Sequence, residues 1–326
     1  MSIPTMNKMV KVYVEAASIE RLKCGRPTEG TVRNTIAGVR TFHRWLNERR
    51  EQLGYETIGY GEDFPLVSIV KPMLIHKYLA DMLKRGTKAV TALSYINQLQ
   101  QLFARWTRPY YEDRGWKIPP FPSLGGRPKS PRYNRPSREK LLRLKNWYEC
   151  LGNRERMFQA RRRNVPAREL WFVTTMMLEF AMRNSDIKRL TPDNFIEHDG
   201  RIYLNYTPHK TERSSGRIVK WPIHPAILSQ WRSLQHTTVN PDSPIPDLPS
   251  LDAETFDALN REMRTLGFTG SKGAYELRKI CIDHIYQKYG AEMATSISGD
   301  DIKTIIHYYA DPSQPNIGEV RVTDLF

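Results

Sequence analysis

The stretch PPFPSLGGRPKSPRYNRPS, residues 119–137, limits what this chain can fold into more than any other. Proline fixes φ and lacks a backbone donor, so a run rich in proline and glycine joins neither a helix interior nor a central strand. It reads as an extended, semi-rigid linker. The chain is therefore expected to divide into a domain over 1–118, a linker over 119–136 and a second domain over 137–326. At 326 residues it is long enough for two cores. The charges in the stretch are all basic, Arg127, Lys129 and Arg132 among them. Such a segment can sit in water or track a line of phosphates.

Charge narrows the choice of partner. The chain carries 50 Lys+Arg against 35 Asp+Glu, a formal charge of +15. With 40% hydrophobic residues it is globular, not a disordered basic tail. A folded protein this positive calls for a polyanion, and duplex nucleic acid is the first candidate. No apolar run approaches the length of a membrane span. The first residues, MSIPTMNKMVKVYVEAAS, lack the apolar core and cleavage site of a signal peptide. Cys24, Cys150 and Cys281 are far apart and odd in number, which suits a reducing compartment without a disulfide framework. The eight histidines show no ligand spacing. The expectation is a cytoplasmic, nucleoid-associated protein with no metal and no cofactor.

The first domain has a helical pattern. Val32, Ile36, Val39, Phe42 and Leu46 recur at helical spacing. Pro72 suits the first turn of a helix carrying Leu74, Tyr78, Leu79 and Met82. A third helix is predicted over 87–106, with Leu93, Ile96, Leu99 and Phe103 as its apolar stripe. Lys88 opens it, and Ser94, Asn97, Gln98, Gln101 and Arg105 form its polar face. No acid lies between Met82 and Tyr111. Amides and arginines on an acid-free face are side chains that read base edges, although a plain solvated face has the same composition.

The second domain reads as mixed and mostly helical. A helix from Ser137 is expected to end near Gly152 in a left-handed cap. PARELWFVTTMMLEFAM is apolar on most faces and should be a buried helix. FIEHDGRIYLNYT predicts a hairpin on Asp199-Gly200, and HKTERSSGRIVKWPI a second one with a polar loop. Helices follow over 224–235, 252–266 and 273–289, with a proline-rich loop over 236–251.

Basic residues embedded in these apolar elements carry the chemistry. Arg183 follows the buried helix, and burying it requires an anion such as Asp186. Alone, that is a structural ion pair. Arg278 stands on a helix whose apolar face holds Leu277, Ile282 and Ile285. Lys210 lies at a hairpin edge. Ile302, Ile305, Ile306 and Tyr309 share one face of a last helix, a stripe that a core tyrosine would also show.

In order, FAMRNSDIKRL, HKT before GRIVKWPI, YELR, and SGDD ahead of a tyrosine resemble the motifs of the tyrosine recombinase (phage integrase) family. The resemblance spans nearly the whole chain. It implies a multidomain fold: an all-α, SAM-like core-binding domain, then a mostly α catalytic domain with small β-hairpins. It matches Arg183 and Arg278 to the two arginines, Lys210 to the hairpin lysine and Tyr309, not Tyr308, to the nucleophile. The family motif that contains Arg183 reads roughly Gly-Leu-Arg. The family's activity is site-specific cleavage and rejoining of duplex DNA through a 3′-phosphotyrosyl link, by a homotetramer on DNA, without metal or ATP. Tyr275 and Asp300 depart from it, standing where the family has a histidine before the second arginine and a histidine or tryptophan after the glycine. A carboxylate beside a phosphate is repulsive unless protonated, paired or turned away. Asp300 or Asp301 is expected to cap the last helix, and Asp300 is taken first. His307 and His284 are nearby substitutes in sequence. The terminal GEVRVTDLF, with Val320, Val322, Leu325 and Phe326, is expected to pack, a neighbouring protomer being one dock. Two rivals remain: a non-enzymatic DNA-binding protein on the same scaffold, and a type IB topoisomerase-like enzyme.

Overall fold

A computed structural model describes residues 5–24, 27–58, 63–65, 71–113, 115, 133–209, 212, 216–235, 243–269 and 273–309, without the side chains of residues 104, 105 and 110. The chain divides into two compact units, Met1–Ser130 and Pro131–Phe326. Most of the linker expected over 119–136, with Arg127, Lys129 and Arg132, lies outside the described residues, as do Lys210 and the terminal GEVRVTDLF.

The N-terminal unit is helical. Helix α1 spans Met6–Cys24 and α2 Glu29–Glu48, the latter capped by the Thr28 hydroxyl, which accepts from Thr31 N. Helix α3, Pro72–Lys84, has proline in its first turn, where a missing N–H leaves nothing unsatisfied. Helix α4, Ala89–Gln100, passes into a π-helical stretch, Gln101–Trp106, and the short α5 covers Arg108–Glu112. Their core is rich in aromatics: Phe42 stacks on Trp45, and Tyr78 packs against both.

The π-helical stretch corrects the expectation of one regular helix over 87–106. A π turn inserts an extra residue and rotates all that follows. Ala92, Ile96, Leu99, Leu102 and Phe103 are buried, while Leu93 is half-buried. The Thr107 hydroxyl donates to Leu102 O at 2.7 Å, five residues back.

The C-terminal unit begins with helix α6, Arg138–Cys150, capped by the Ser137 hydroxyl. It ends in a right-handed Leu151, and Gly152 is not left-handed as expected. A small hairpin, β1 (Met157–Gln159) with β2 (Asn164–Pro166), was not apparent in the sequence. Helix α7, Ala167–Leu178, is buried at every position but Arg168, as its all-round apolar sequence requires. A short helix α8, Asn184–Ile187, follows. Strands β3 (Phe195–His198) and β4 (Arg201–Tyr206) form a hairpin in which Asp199 and Gly200 both have positive φ. The predicted second hairpin does not stand alone. Its far arm, β5 (Val219–Pro222), pairs back onto β4, giving a three-stranded antiparallel sheet.

Helices α9 (Pro225–Ser233), α10 (Ala253–Thr265) and α11 (Tyr275–Ser298) complete the main core. Helix α11 runs past the expected end at 289, broken only by Gly290 with φ 85 and ψ 180. Helix α12, Ile302–Tyr309, closes the described chain. Among the described residues, no helix is long and apolar enough to cross a membrane.

Candidate active site

Two arginines from distant parts of the sequence meet at one carboxylate. Arg183 sits at the N-cap of α8, immediately after the backbone turns out of the buried α7. That turn is strained: Ala181 has φ 48, a conformation that favours glycine, and glycine is the residue the family motif has there. Arg278 lies one turn into α11, wholly buried. Asp300 follows α11, its Oδ1 accepting from Arg183 Nη2 and its Oδ2 from Arg278 Nη2 at 2.5 Å. Arg278 Nη2 also donates to Ser298 O at 3.1 Å. Burial pushes the Arg278 pKa down, but the Asp300 carboxylate together with Tyr275 and Tyr206 holds it above the usual value.

Asp300 is thus not the helix cap the sequence suggested. Asp301 takes that position: its carboxylate accepts from Lys303 N at 2.8 Å and its carbonyl from Ile305 N at 3.0 Å. The chain reaches this arrangement through Gly299, whose φ of 64 suits glycine and whose missing Cβ would lie 2.9 Å from Pro208 Cγ.

Asp186 is buried beside Arg183, with an Nη1–Oδ2 separation of 3.7 Å. Its other oxygen accepts from His209 N at 3.0 Å. It therefore positions both the first arginine and the backbone leading to Lys210.

Tyr309 is 7% exposed and packs with Ile305. Ile302 and Ile306 are exposed, so the inward stripe is narrower than the expected four residues. Tyr308 is half-buried. The Tyr133 ring meets Tyr309 edge-on at 5.4 Å, and Tyr133 N donates to Tyr308 O at 3.0 Å. Burial drives the Tyr309 phenol well above its ordinary value, while the Arg278 charge pulls it down. Tyr275 is half-buried at the start of α11, within electrostatic range of Arg278 and Tyr309. His307 is exposed, and His284 lines a cavity of 220 Å³ with Glu179 and Cys281. Tyr133 was missed because nothing local marks it; it is one aromatic in a proline-rich run. Among the described residues, no group of His, Cys, Asp and Glu side chains could hold a metal ion.

The polar face proposed for base reading is not brought together as a unit. Lys88 and Ser94 are exposed, and Asn97, Gln98 and Gln101 are half-buried. Gln98 packs against Gly38 of α2, where even a methyl group would clash with its amide. Its Oε1 is buried without a hydrogen-bond partner, so Gln98 is a packing residue and not an outward reader. The Arg105 side chain lies outside the described set.

The comparisons agree on the architecture. No protein-family model and no curated protein matches the chain. Solved structures do match. A lambda integrase tetramer bound to a Holliday junction is 15% identical with a TM-score of 0.60, over 98% of this chain and 81% of that one. A XerH site-specific recombinase bound to difH in a pre-cleavage complex is 11% identical with a TM-score of 0.58, over 94% of both chains. The Tn1549 transposon integrase in complex with circular intermediate DNA is 12% identical with a TM-score of 0.54, over 95% of this chain and 96% of that one. The fold is therefore the one that these integrase and recombinase structures share.

Proposed function

We propose that the protein is a site-specific DNA recombinase that cleaves and rejoins duplex DNA through a 3′-phosphotyrosyl link. One observation carries this: two arginine side chains converge on a single anion, on a recombinase fold. Two guanidiniums facing one anionic group can brace the non-bridging oxygens of a phosphodiester and neutralise charge that develops as it is attacked. In this reading Tyr309 Oη attacks the phosphorus and releases its proton to solvent, the bond to the 5′-oxygen breaks, and Lys210 gives that oxygen a proton that solvent restores. The new ester keeps the phosphodiester energy, so rejoining needs neither ATP nor metal. Tyr275 would donate a hydrogen bond to the same phosphate. The domain over 1–118, through Lys88 and Ser94, and the basic linker over 119–136 would hold the duplex. A homotetramer on two recombination sites would carry out strand exchange, and the protein would reside with the nucleoid.

The burial of Tyr309 and the carboxylate already on the arginines favour a second reading, a non-enzymatic DNA-binding protein. Covalent capture separates the two. Duplexes selected by binding from a random pool supply a site, which is then nicked and incubated with the protein. A denaturing gel should show a protein–DNA adduct mapping to Tyr309, abolished in Tyr309→Phe and kept in Tyr308→Phe, with DNA binding unchanged. Binding without an adduct would leave the non-enzymatic reading.

A further inference from the structure

We propose that Asp300 is an internal stand-in for the phosphate: its carboxylate holds the two arginines, and an incoming phosphate enters by displacing it. This rests on reading the arginine pair as the phosphate cradle.

Several observations support the exchange. A carboxylate offers two oxygens on one centre, sharing a negative charge, and each here accepts from a different guanidinium. A phosphodiester presents its two non-bridging oxygens in the same manner. The cradle is also only partly filled. Nε and Nη1 of the wholly buried Arg278 have no hydrogen-bond partner. Buried donors left open are unfavourable, and a group with further acceptor oxygens would satisfy them.

Access points the same way. The Arg278 side chain is 0% exposed, so no external phosphate reaches it with Asp300 in place. Asp300, at 20%, is the member of the trio most open to solvent. Two anions crowded onto one arginine pair would repel, which makes occupancy a choice between them.

Asp300 is also free to move without dismantling the fold. The cap of α12 belongs to Asp301. Asp300 hangs between that cap and the left-handed Gly299, tied otherwise by its N–H to Ser298 Oγ at 3.1 Å. The same exchange accounts for an acid at a position where the sequence made it look repulsive. The carboxylate is paired until a better anion arrives, so only a phosphate held firmly by the rest of the protein displaces it.

Thermal unfolding of the full chain in a sulfate titration, at constant ionic strength with chloride, tests this without any reaction. Asp300→Ala should melt below the parent in chloride and gain stability at sulfate concentrations at least about tenfold lower than the parent needs, since occupancy by a competitor lowers apparent affinity by the competent fraction. Asp301→Ala should also melt lower, through loss of a cap, but respond to sulfate like the parent. If Asp300→Ala folds only when purified in sulfate, its unfolding on dialysis into chloride supports the proposal, and Asp300→Asn then carries the titration. Equal sulfate responses in the Asp300 variants and the parent would overturn it. An adduct on Tyr309 with equal sulfate responses would sink this inference alone. A shifted response with no adduct would sink the recombinase reading and leave an anion site.

Discussion

Arg163 and Arg278 are both held by carboxylates in the same unit, yet their surroundings differ in kind. Arg163 Nε donates to Asp252 at 3.0 Å, Nη1 to Asn164 O at 3.1 Å and Glu169 at 3.3 Å, and Nη2 to Glu169 at 2.8 Å and Asp252 at 3.0 Å. The Thr255 hydroxyl donates to Glu169 at 2.5 Å, and Asp252 caps α10. Every guanidinium nitrogen there has a partner, and one cation faces two carboxylates. At the other cluster two guanidiniums share Asp300, and two nitrogens of the buried Arg278 have no hydrogen bond. The first arrangement is complete in itself and serves the fold. The second leaves buried donors open, and an added group with acceptor oxygens would satisfy them.

That contrast breaks first under arginine removal. Arg183→Ala should reduce adduct formation by about 10²–10³-fold or more, because a preorganised donor to developing charge is lost. Its melting temperature should also fall, since Asp300 keeps Arg278 but the buried Asp186 loses its cation. Arg163→Ala should cost stability alone. It leaves Glu169, 8% exposed, without its cation, a loss of roughly 3 kcal/mol or more in urea unfolding. Adduct yield per folded molecule should hold. If Arg163→Ala abolished the adduct in folded protein, the division between the two clusters would be wrong.

The sequence made some of this legible and hid the rest. Helical spacing located α2 and α3, and the Asp199-Gly200 turn set the β3–β4 register, because those signals are local. Helix α1 has its buried Met6, Met9, Tyr13 and Ala17 at helical spacing, a signal present but not read. The π turn after Gln100 has no local marker, and Gln98, in the regular helix before it, packs against the bare Gly38 of α2, a tertiary contact that helical spacing does not show. Arg183 and Arg278 could be named from motifs. Their shared partner could not, because Asp300 looks as apt a cap as Asp301 until the chain is folded. Tyr133 reaches Tyr309 only through tertiary structure.

Glu179 sharpens the comparison with a carboxyl that makes no ion pair among the described residues. It is half-buried at the end of α7, and desolvation raises its pKa from 4.5 to about 7. A group whose pKa is raised by folding stabilises below its unfolded value, and that contribution is lost as pH rises through the folded value. The parent should therefore lose stability between about pH 4.5 and pH 7, by roughly 3 kcal/mol at most. Glu179→Gln should flatten this decline, seen as a variant-minus-parent gap that widens from pH 5 to pH 8. A gap that stays constant would mean the carboxyl finds a cation in solution.

The smallest effect should come from Asp252, the exposed edge of the complete cluster. Hydrogen bonds from Arg163, opposed by a little desolvation and aided by Thr255 N, lower its pKa from 3.8 to about 2. A pKa depressed by folding means stability that is present above the unfolded value and lost as pH falls through the folded one. The window is therefore about pH 4 down to pH 2. With its side chain 48% exposed, solvent screens most of this, and less than about 1 kcal/mol should remain. Asp252→Asn keeps the cap, so helix α10 should persist in the variant. The parent should exceed Asp252→Asn in stability at pH 6, and the two should converge by pH 2.5. A difference that survives unchanged at pH 2.5 would mean that the Asp252 charge is not its source, leaving Glu169 as the one carboxylate whose charge matters to Arg163.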